Sequence, residues 1–203
     1  MSNNKFELTT EKKVNLLGRE LFRIRAKISF GSVSEGDLGG WVEKEGNLGV
    51  SGNAWVFGDA EVSGDARVSG NAWVFGDAEV SGDAWVSGDA WVSGDARVSG
   101  DARVSGDAEV SGDARVFGDA EVSGDAVATI TPINIIGLTW SVTISNNWLQ
   151  IGCQGYITQK WKDFSDKEIS EMDIGALDFW NRHKRMILDL CDYHQSKVNT
   201  DEE

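Results

Sequence analysis

The side chains best suited to acid–base or metal chemistry near neutral pH are few: two histidines, His183 and His194, and two cysteines, Cys153 and Cys191, in a chain of 203 residues. Cys191 and His194 stand three apart in a helical pattern and could share a metal, but no second close pair completes a tetrahedral set. His183 and His194 fall roughly 16 Å apart along a helix, too far to meet on one ion. No Walker loop, dinucleotide fingerprint or EF-hand pattern occurs. Before His183 there is no histidine at all, so general-base chemistry has no agent there. The residues therefore predict no catalytic group, no metal and no cofactor. Two cysteines are too few for a disulfide framework and are expected as thiols. No run of 18 apolar residues occurs, and the start, MSNNKFELTT, lacks the basic and apolar regions of a secretory signal. The expected location is a cytoplasm, with no membrane contact.

What remains is charge. The formal net charge is -14, and it is concentrated: residues 52–129 hold 11 Asp and 4 Glu against 4 Arg, whereas residues 1–51 sum to +1 and residues 130–203 to -4. The aspartates recur every six residues, so a period-six element must position them. Residues 52–129 divide into thirteen units of Gly, Asp or Asn, Ala, a variable residue, Val, then Ser or Phe, the last ending irregularly as GDAVAT; GNLGVS at 46–51 reads as a worn fourteenth. Six does not fit a helix. Within a unit Ala, the variable residue and Val alternate, which puts Ala and Val on the inner side of a short strand and the variable residue outside. Ser-Gly-Asp is then a corner, where Gly supplies a positive φ and Asp or Asn is expected to hydrogen-bond turn amides.

Residues 52–69, GNAWVFGDAEVSGDARVS, recur at 70–87 with one change, Arg67 becoming Trp85. The repeat is thus eighteen residues, three hexapeptides per coil, and predicts a mainly β fold: a triangular parallel β-helix, or β-solenoid, with equivalent strands about 4.8 Å apart. The pattern resembles the hexapeptide-repeat, left-handed parallel β-helix family, in which an aliphatic residue is followed four positions later by a small one, as in Val56 to Ala60 and Val62 to Ala66. The resemblance implies a left-handed solenoid, although the right-handed bactofilin type is also triangular. Acyltransferases and carbonic anhydrases of this fold use histidines, which these coils lack. The flanks GDLGGWVEKEGNLG at 36–49 and NIIGLTWSVTI at 134–144 resemble uncharacterised phage and prophage hexapeptide proteins, which implies a viral origin and a host-cell setting.

Stacking sorts the side chains into columns. Asp59, Asp77, Asp95 and Asp113 form one uninterrupted acidic ladder and Asp65, Asp83, Asp101 and Asp119 a second; the third corner begins with Asn53 and Asn71. The outward column Trp55, Trp73, Trp91, with Phe57 and Phe75 at the next corner, exceeds the apolar patch that a monomer usually exposes. It is expected to be covered by a terminal segment, another subunit or a foreign partner. In the column Arg67, Trp85, Arg103, arginines can lie over the indole face.

The solenoid, residues 46–129, needs closed ends. Residues 1–45 read as an N-terminal β cap with a hairpin or meander over 5–30. Residues 130–157 read as a β-hairpin of strands 133–144 and 148–156, and residues 158–203 as helical: a short helix capped by Ser165 and Glu168, then one capped by Asp173 and running to about Gln195, with Ala176, Phe179, Trp180, His183, Ile187, Leu190, Cys191 and His194 on one face. The expectation is a non-enzymatic, acidic, homo-oligomeric binding protein. Its sharpest form is a phage-encoded nucleic-acid mimic that inhibits a host defence or DNA-handling protein without binding nucleic acid directly. A structural scaffold or assembly protein is the alternative, and an acyltransferase-like remnant without its histidine is the third.

Overall fold

The computed structural model describes residues 3–200; the extreme ends of the first and last segments lie outside the described residues. Strands β1 (Phe6–Val14) and β2 (Glu20–Ala26) form an antiparallel hairpin, and β2 pairs antiparallel with β3 (Leu38–Val42). From β3 onward pairing is parallel. Trp41 and Val42 lie against Glu61 and Val62, and thirteen two-residue strands follow at six-residue intervals, from β4 (Trp55–Val56) to β16 (Val127–Ala128). Every third strand pairs with the next, Val56 with Val74 and Val74 with Val92, so three sheets enclose the axis at an eighteen-residue period. A β-solenoid with strand-rich and helical ends is the fold.

The inside is filled by the two small inner residues of each unit. From Ala54 to Ala128 every inward Ala and Val is buried, and each valine contributes roughly 1.5 kcal/mol or more. Two segments before the repeat add a rung on two faces. One is β3; the other is Leu48, which bridges to Val68. The worn unit at 46–51 is therefore present but shifted by two residues: Leu48 takes the inward place and Val50 is exposed. A 3-10 turn over Glu45–Asn47 produces the shift, and it turns Asn47 inward, away from the corner that its repeat position implies.

Parallel pairing gives the rod a direction, because most interstrand N–H groups, those of the Asp, outward and Ser positions, donate to a carbonyl one coil further along the chain, as Asp65 N to Gly82 O, Trp55 N to Ala72 O and Ser69 N to Val86 O. One end must therefore supply donors and the other acceptors. At the donor-hungry end the buried Asn47 Nδ2 donates to Gly64 O and Ala66 O at 3.1 and 2.8 Å, and Lys5 Nζ donates to Gly49 O and Ala54 O at 3.1 and 2.8 Å. At the far end three side-chain oxygens accept: Thr131 Oγ1 from Arg115 N, Thr143 Oγ1 from Glu121 N, and Asn146 Oδ1 from Thr129 N, at 3.2 to 3.4 Å. Each face of the last coil is closed by one of them.

Burial pushes the Lys5 ammonium down to about 8, against the pull of its two carbonyls and the Phe30 ring 4.4 Å away. Its pKa is lower folded than unfolded, so between pH 8 and 10.5 the unfolded chain holds the proton that the folded chain has released. The parent should then gain stability relative to Lys5→Met as pH rises through that window, and the gain should be absent below it. Urea unfolding of both proteins at several pH values measures the difference; a flat difference would mean that Lys5 is charged and solvated in the fold.

The expected C-terminal hairpin is a four-stranded antiparallel sheet. Strands β17 (Ile133–Ile135), β18 (Val142–Ser145), β19 (Trp148–Ile151) and β20 (Gln154–Ile157) arise because each expected strand folds back on itself, at Gly137 and at Gly152, both with positive φ. The expected turn at Ser145-Asn146-Asn147 joins β18 and β19. Helix α1 (Thr158–Asp163) was not apparent in the sequence; α2 (Asp166–Met172) begins at Ser165, whose side chain makes the expected capping box with Glu168. Helix α3 (Ala176–Thr200) starts after Gly175 and ends later than expected. The Asp173 carboxylate accepts from Ile174 N at 2.6 Å, not from the α3 amides. Phe179, Trp180, Ile187, Cys191 and His194 face the sheet and are buried.

Candidate functional site

The three corners of the triangle carry the acidic groups. Asp59, Asp77, Asp95 and Asp113 follow one another along the first corner, Asp65, Asp83, Asp101 and Asp119 along the second, and all eight are exposed. What holds each corner is backbone. Asp65 N donates to Gly82 O at 2.8 Å, Asp77 N to Gly94 O at 3.0 Å and Asp83 N to Gly100 O at 2.9 Å, each one coil ahead. The carboxylates of these ladders accept from no turn amide among the described residues, in contrast to the expected side-chain turn bonds. Among the described residues, Asx side chains of the coils hydrogen-bond between coils only at the third corner, where Asn71 Oδ1 accepts from the backbone N–H of Asn53 at 3.1 Å and Asn71 Nδ2 donates to the Asp89 carboxylate at 2.9 Å. The gap between coils is already bridged by the Gly carbonyl, which leaves the acid groups pointing into solvent.

Neutralisation is sparse. Lys44 pairs with Asp65 at 2.6 Å and holds that carboxyl below the ordinary range; it is the one ion pair to a ladder aspartate among the described residues. The flat faces are balanced instead. Lys13 meets Glu61 at 2.8 Å and Arg97 meets Glu79 at 3.5 Å on one, and Arg67 lies 5.7 Å from the Trp85 ring centroid on another. Negative charge is thus concentrated at the edges, in lines parallel to the axis.

The aromatic column is divided by the N-terminal cap. Trp55 is buried beneath Phe6 and Phe30, at centroid distances of 6.3 and 5.4 Å. Trp73 and Trp91 stack at 5.5 Å with planes 7° apart, braced from below by Phe57 at 5.2 Å and Phe75 at 6.0 Å. Trp91 keeps 47% of its surface exposed. A terminal segment therefore covers the first ring; of the stacked pair Trp73 is half-buried and Trp91 is open to solvent.

Both histidines lie on α3, in the C-terminal cap. His183 packs against Phe179 at 4.8 Å, and buried His194 has Nε2 3.2 Å from Thr131 O. Burial lowers the His194 pKa, opposed by that carbonyl. Burial pushes the Cys191 thiol up to about 11, while Cys153 is exposed. Among the described residues no group of three or more His, Cys, Asp or Glu side chains is arranged to hold a metal ion, and no helix is long and apolar enough to cross a membrane.

Residues 60–76 and 96–112 match the YdcK Beta solenoid repeat. Both stretches lie inside the coils, and the match agrees with the repeat β-helix architecture. No curated protein matches the chain. The residues that sequence reasoning missed are the end-closing ones: Lys5 and Asn47 at one end, Thr131, Thr143 and Asn146 at the other. Only Asn47 carried a signal, as an Asn at the Asx place of the worn unit.

Proposed function

We propose that this chain is a non-enzymatic binding protein whose two uninterrupted aspartate edges imitate the charge of a nucleic-acid duplex. In this reading it is a phage-encoded inhibitor that occupies the basic groove of a host defence or DNA-handling protein. The observation that carries it is the exposure of eight ladder carboxylates that take no part in holding their turns. The net charge of residues 52–129 along about 21 Å of axis amounts to roughly one charge per 2 Å, against one per about 1.7 Å for duplex DNA. Rungs at about 4.8 Å do not overlay phosphates one for one, so the likeness lies in line charge and rod shape. The resemblance of the flanks to phage proteins is what directs the reading to a host partner. A scaffold function draws on a different observation, the stacked Trp73–Trp91 pair, open to solvent at Trp91, which charge mimicry leaves unused.

The test replaces Asp77, Asp83, Asp95 and Asp101 by Asn. The fold should survive, because Asn53 and Asn71 already occupy equivalent corners. Proteins captured from host lysate by the parent should be DNA-binding and released by duplex DNA and by salt. The variant should bind them about a hundredfold more weakly, at roughly 0.7 kcal/mol for each screened surface charge. Capture unchanged in affinity and salt slope would exclude charge mimicry and move the binding surface to the aromatic pair or the caps.

A further inference from the structure

The tip of the β1–β2 hairpin is apolar and wet. Val14, Leu16 and Leu17 expose 67%, 89% and 66% of their surface. Large apolar side chains side by side on a hairpin tip are unusual on a small acidic protein. The tip is also held in shape. Asn15 Oδ1 accepts from Leu17 N and Arg19 N, both at 3.0 Å, and Asn15 O accepts from Gly18 N at 3.0 Å. At its foot Arg19 meets Glu43 at 2.8 Å, and the same carboxylate accepts from Gly64 N in the first coil, so the hairpin is tied to the rod. These two contacts hold the Glu43 carboxyl below its ordinary range, the Gly64 amide more than Arg19.

The C-terminal cap carries the matching hollow. Trp140, Ile151, Trp161, Ile169, Met172 and Trp180 line a cavity of about 50 Å³ that opens to solvent beside Cys153. That is room for about four water-sized groups, the heavy-atom count of a leucine side chain. Its walls are fixed: Trp161 Nε1 donates to Leu149 O at 2.7 Å, and the Trp161 and Trp180 rings lie 5.3 Å apart.

We infer that Leu16 or Leu17 of one copy seats in the Trp140–Trp161–Trp180 cavity of a second copy, joining N-terminal cap to C-terminal cap. Charge selects this contact over the others open to two identical chains. The shaft segment, at -11, repels another shaft; the only segment without net negative charge is residues 1–51, at +1, and the hollow it would meet has Asp173 in its lining. The free edges of β1, β17 and β20 offer strand pairing as a competing junction, which a cross-link dependent on Cys153 distinguishes from a side-chain knob. Knob and hollow lie on opposite ends of one chain, which makes the contact heterologous: it propagates head to tail unless it closes into a ring.

The experiment uses the full chain and two separate lesions. One is Leu16→Asp with Leu17→Asp, on an exposed turn that leaves the core untouched. The other leaves the sequence intact and blocks the hollow by alkylating Cys153 with a bulky maleimide; buried Cys191, with its raised pKa, stays unmodified. By sedimentation at about 0.5 mM, a concentration that populates millimolar contacts, the parent should form species larger than two copies, and each lesion alone should give monomer. Mixing the two lesioned proteins should give dimer and nothing larger, because each retains the half that the other lacks. The thiol introduced by Leu17→Cys should also cross-link to Cys153 of another copy under copper–phenanthroline and oxygen, and Cys153→Ser should abolish the cross-link. A monomeric parent, association that persists in the tip variant, or cross-links that ignore Cys153 would each overturn the inference. Tip-dependent sedimentation of a monomeric parent with phosphatidylserine vesicles would overturn it in favour of a membrane contact.

Discussion

Val86→Asp should abolish the cooperative thermal transition of the solenoid or lower its midpoint by well over 10 °C, whereas Trp85→Asp, one residue away, should leave it nearly unchanged. Val86 is fully buried and lies between Val68 and Val104 in the inner stack. A carboxylate there meets only methyl groups and costs roughly 3–5 kcal/mol as an unpaired buried charge, a large part of a total stability of about 5–15 kcal/mol. Trp85 faces outward at 51% exposure between Arg67 and Arg103. A carboxylate at that place exchanges one favourable contact with arginine for another, and the expected change is within about 1 kcal/mol. Circular dichroism melts of the pair decide the matter. Equal melts would mean that the coil register is wrong at this position.

Two glycines with the same backbone conformation should respond very differently to the same substitution. Gly88 and Gly118 both sit at corners, with φ of 72° and 66°, and alanine at either pays roughly 1–2 kcal/mol for a left-handed residue. A Cβ on Gly88 would also lie 2.8 Å from Gly106 N and 2.9 Å from Gly106 O, backbone atoms fixed in the next coil, whereas a Cβ on Gly118 meets nothing within 4 Å. Gly88→Ala should therefore cost several kcal/mol, the left-handed penalty plus roughly 1–3 kcal/mol of overpacking; Gly118→Ala should cost the first term alone. Chemical unfolding of both variants separates conformation from stacking. Equal losses would show that the corners do not pack as closely as 2.8 Å implies.

The coils were legible because their signal repeats. The period of six, the echo at eighteen and the Ala–Val alternation each identify the same inward residues, and the aspartate ladders follow from that register alone. The ends were not legible in the same way. Lys5, Thr131 and Thr143 are single polar residues whose importance lies in facing unpaired carbonyls or amides of a coil far along the chain, and no local spacing announces that. The shift that puts Leu48 inward in place of Val50 depends on a short 3-10 turn, and the division of the C-terminal strands depends on two glycines that could also have been bulges. The aromatic column shows the same limit. Its alignment is visible in the repeat, but the burial of Trp55 under Phe6 and Phe30 belongs to the path of the N-terminal hairpin.

Because Lys5, Asn47, Thr131, Thr143 and Asn146 grip backbone groups that every coil presents alike, the caps recognise the termination of a lattice and are indifferent to how many periods precede it. Rod length is then an inherited copy number, adjustable in whole steps of eighteen residues. The near-identity of residues 52–69 and 70–87 is the trace that such a step would leave, since a duplicated coil slots between existing neighbours without asking either end to change. A lineage carrying this chain can lengthen or shorten its charged edges by recombination within the repeat, tuning reach while the machinery that closes the fold stays constant.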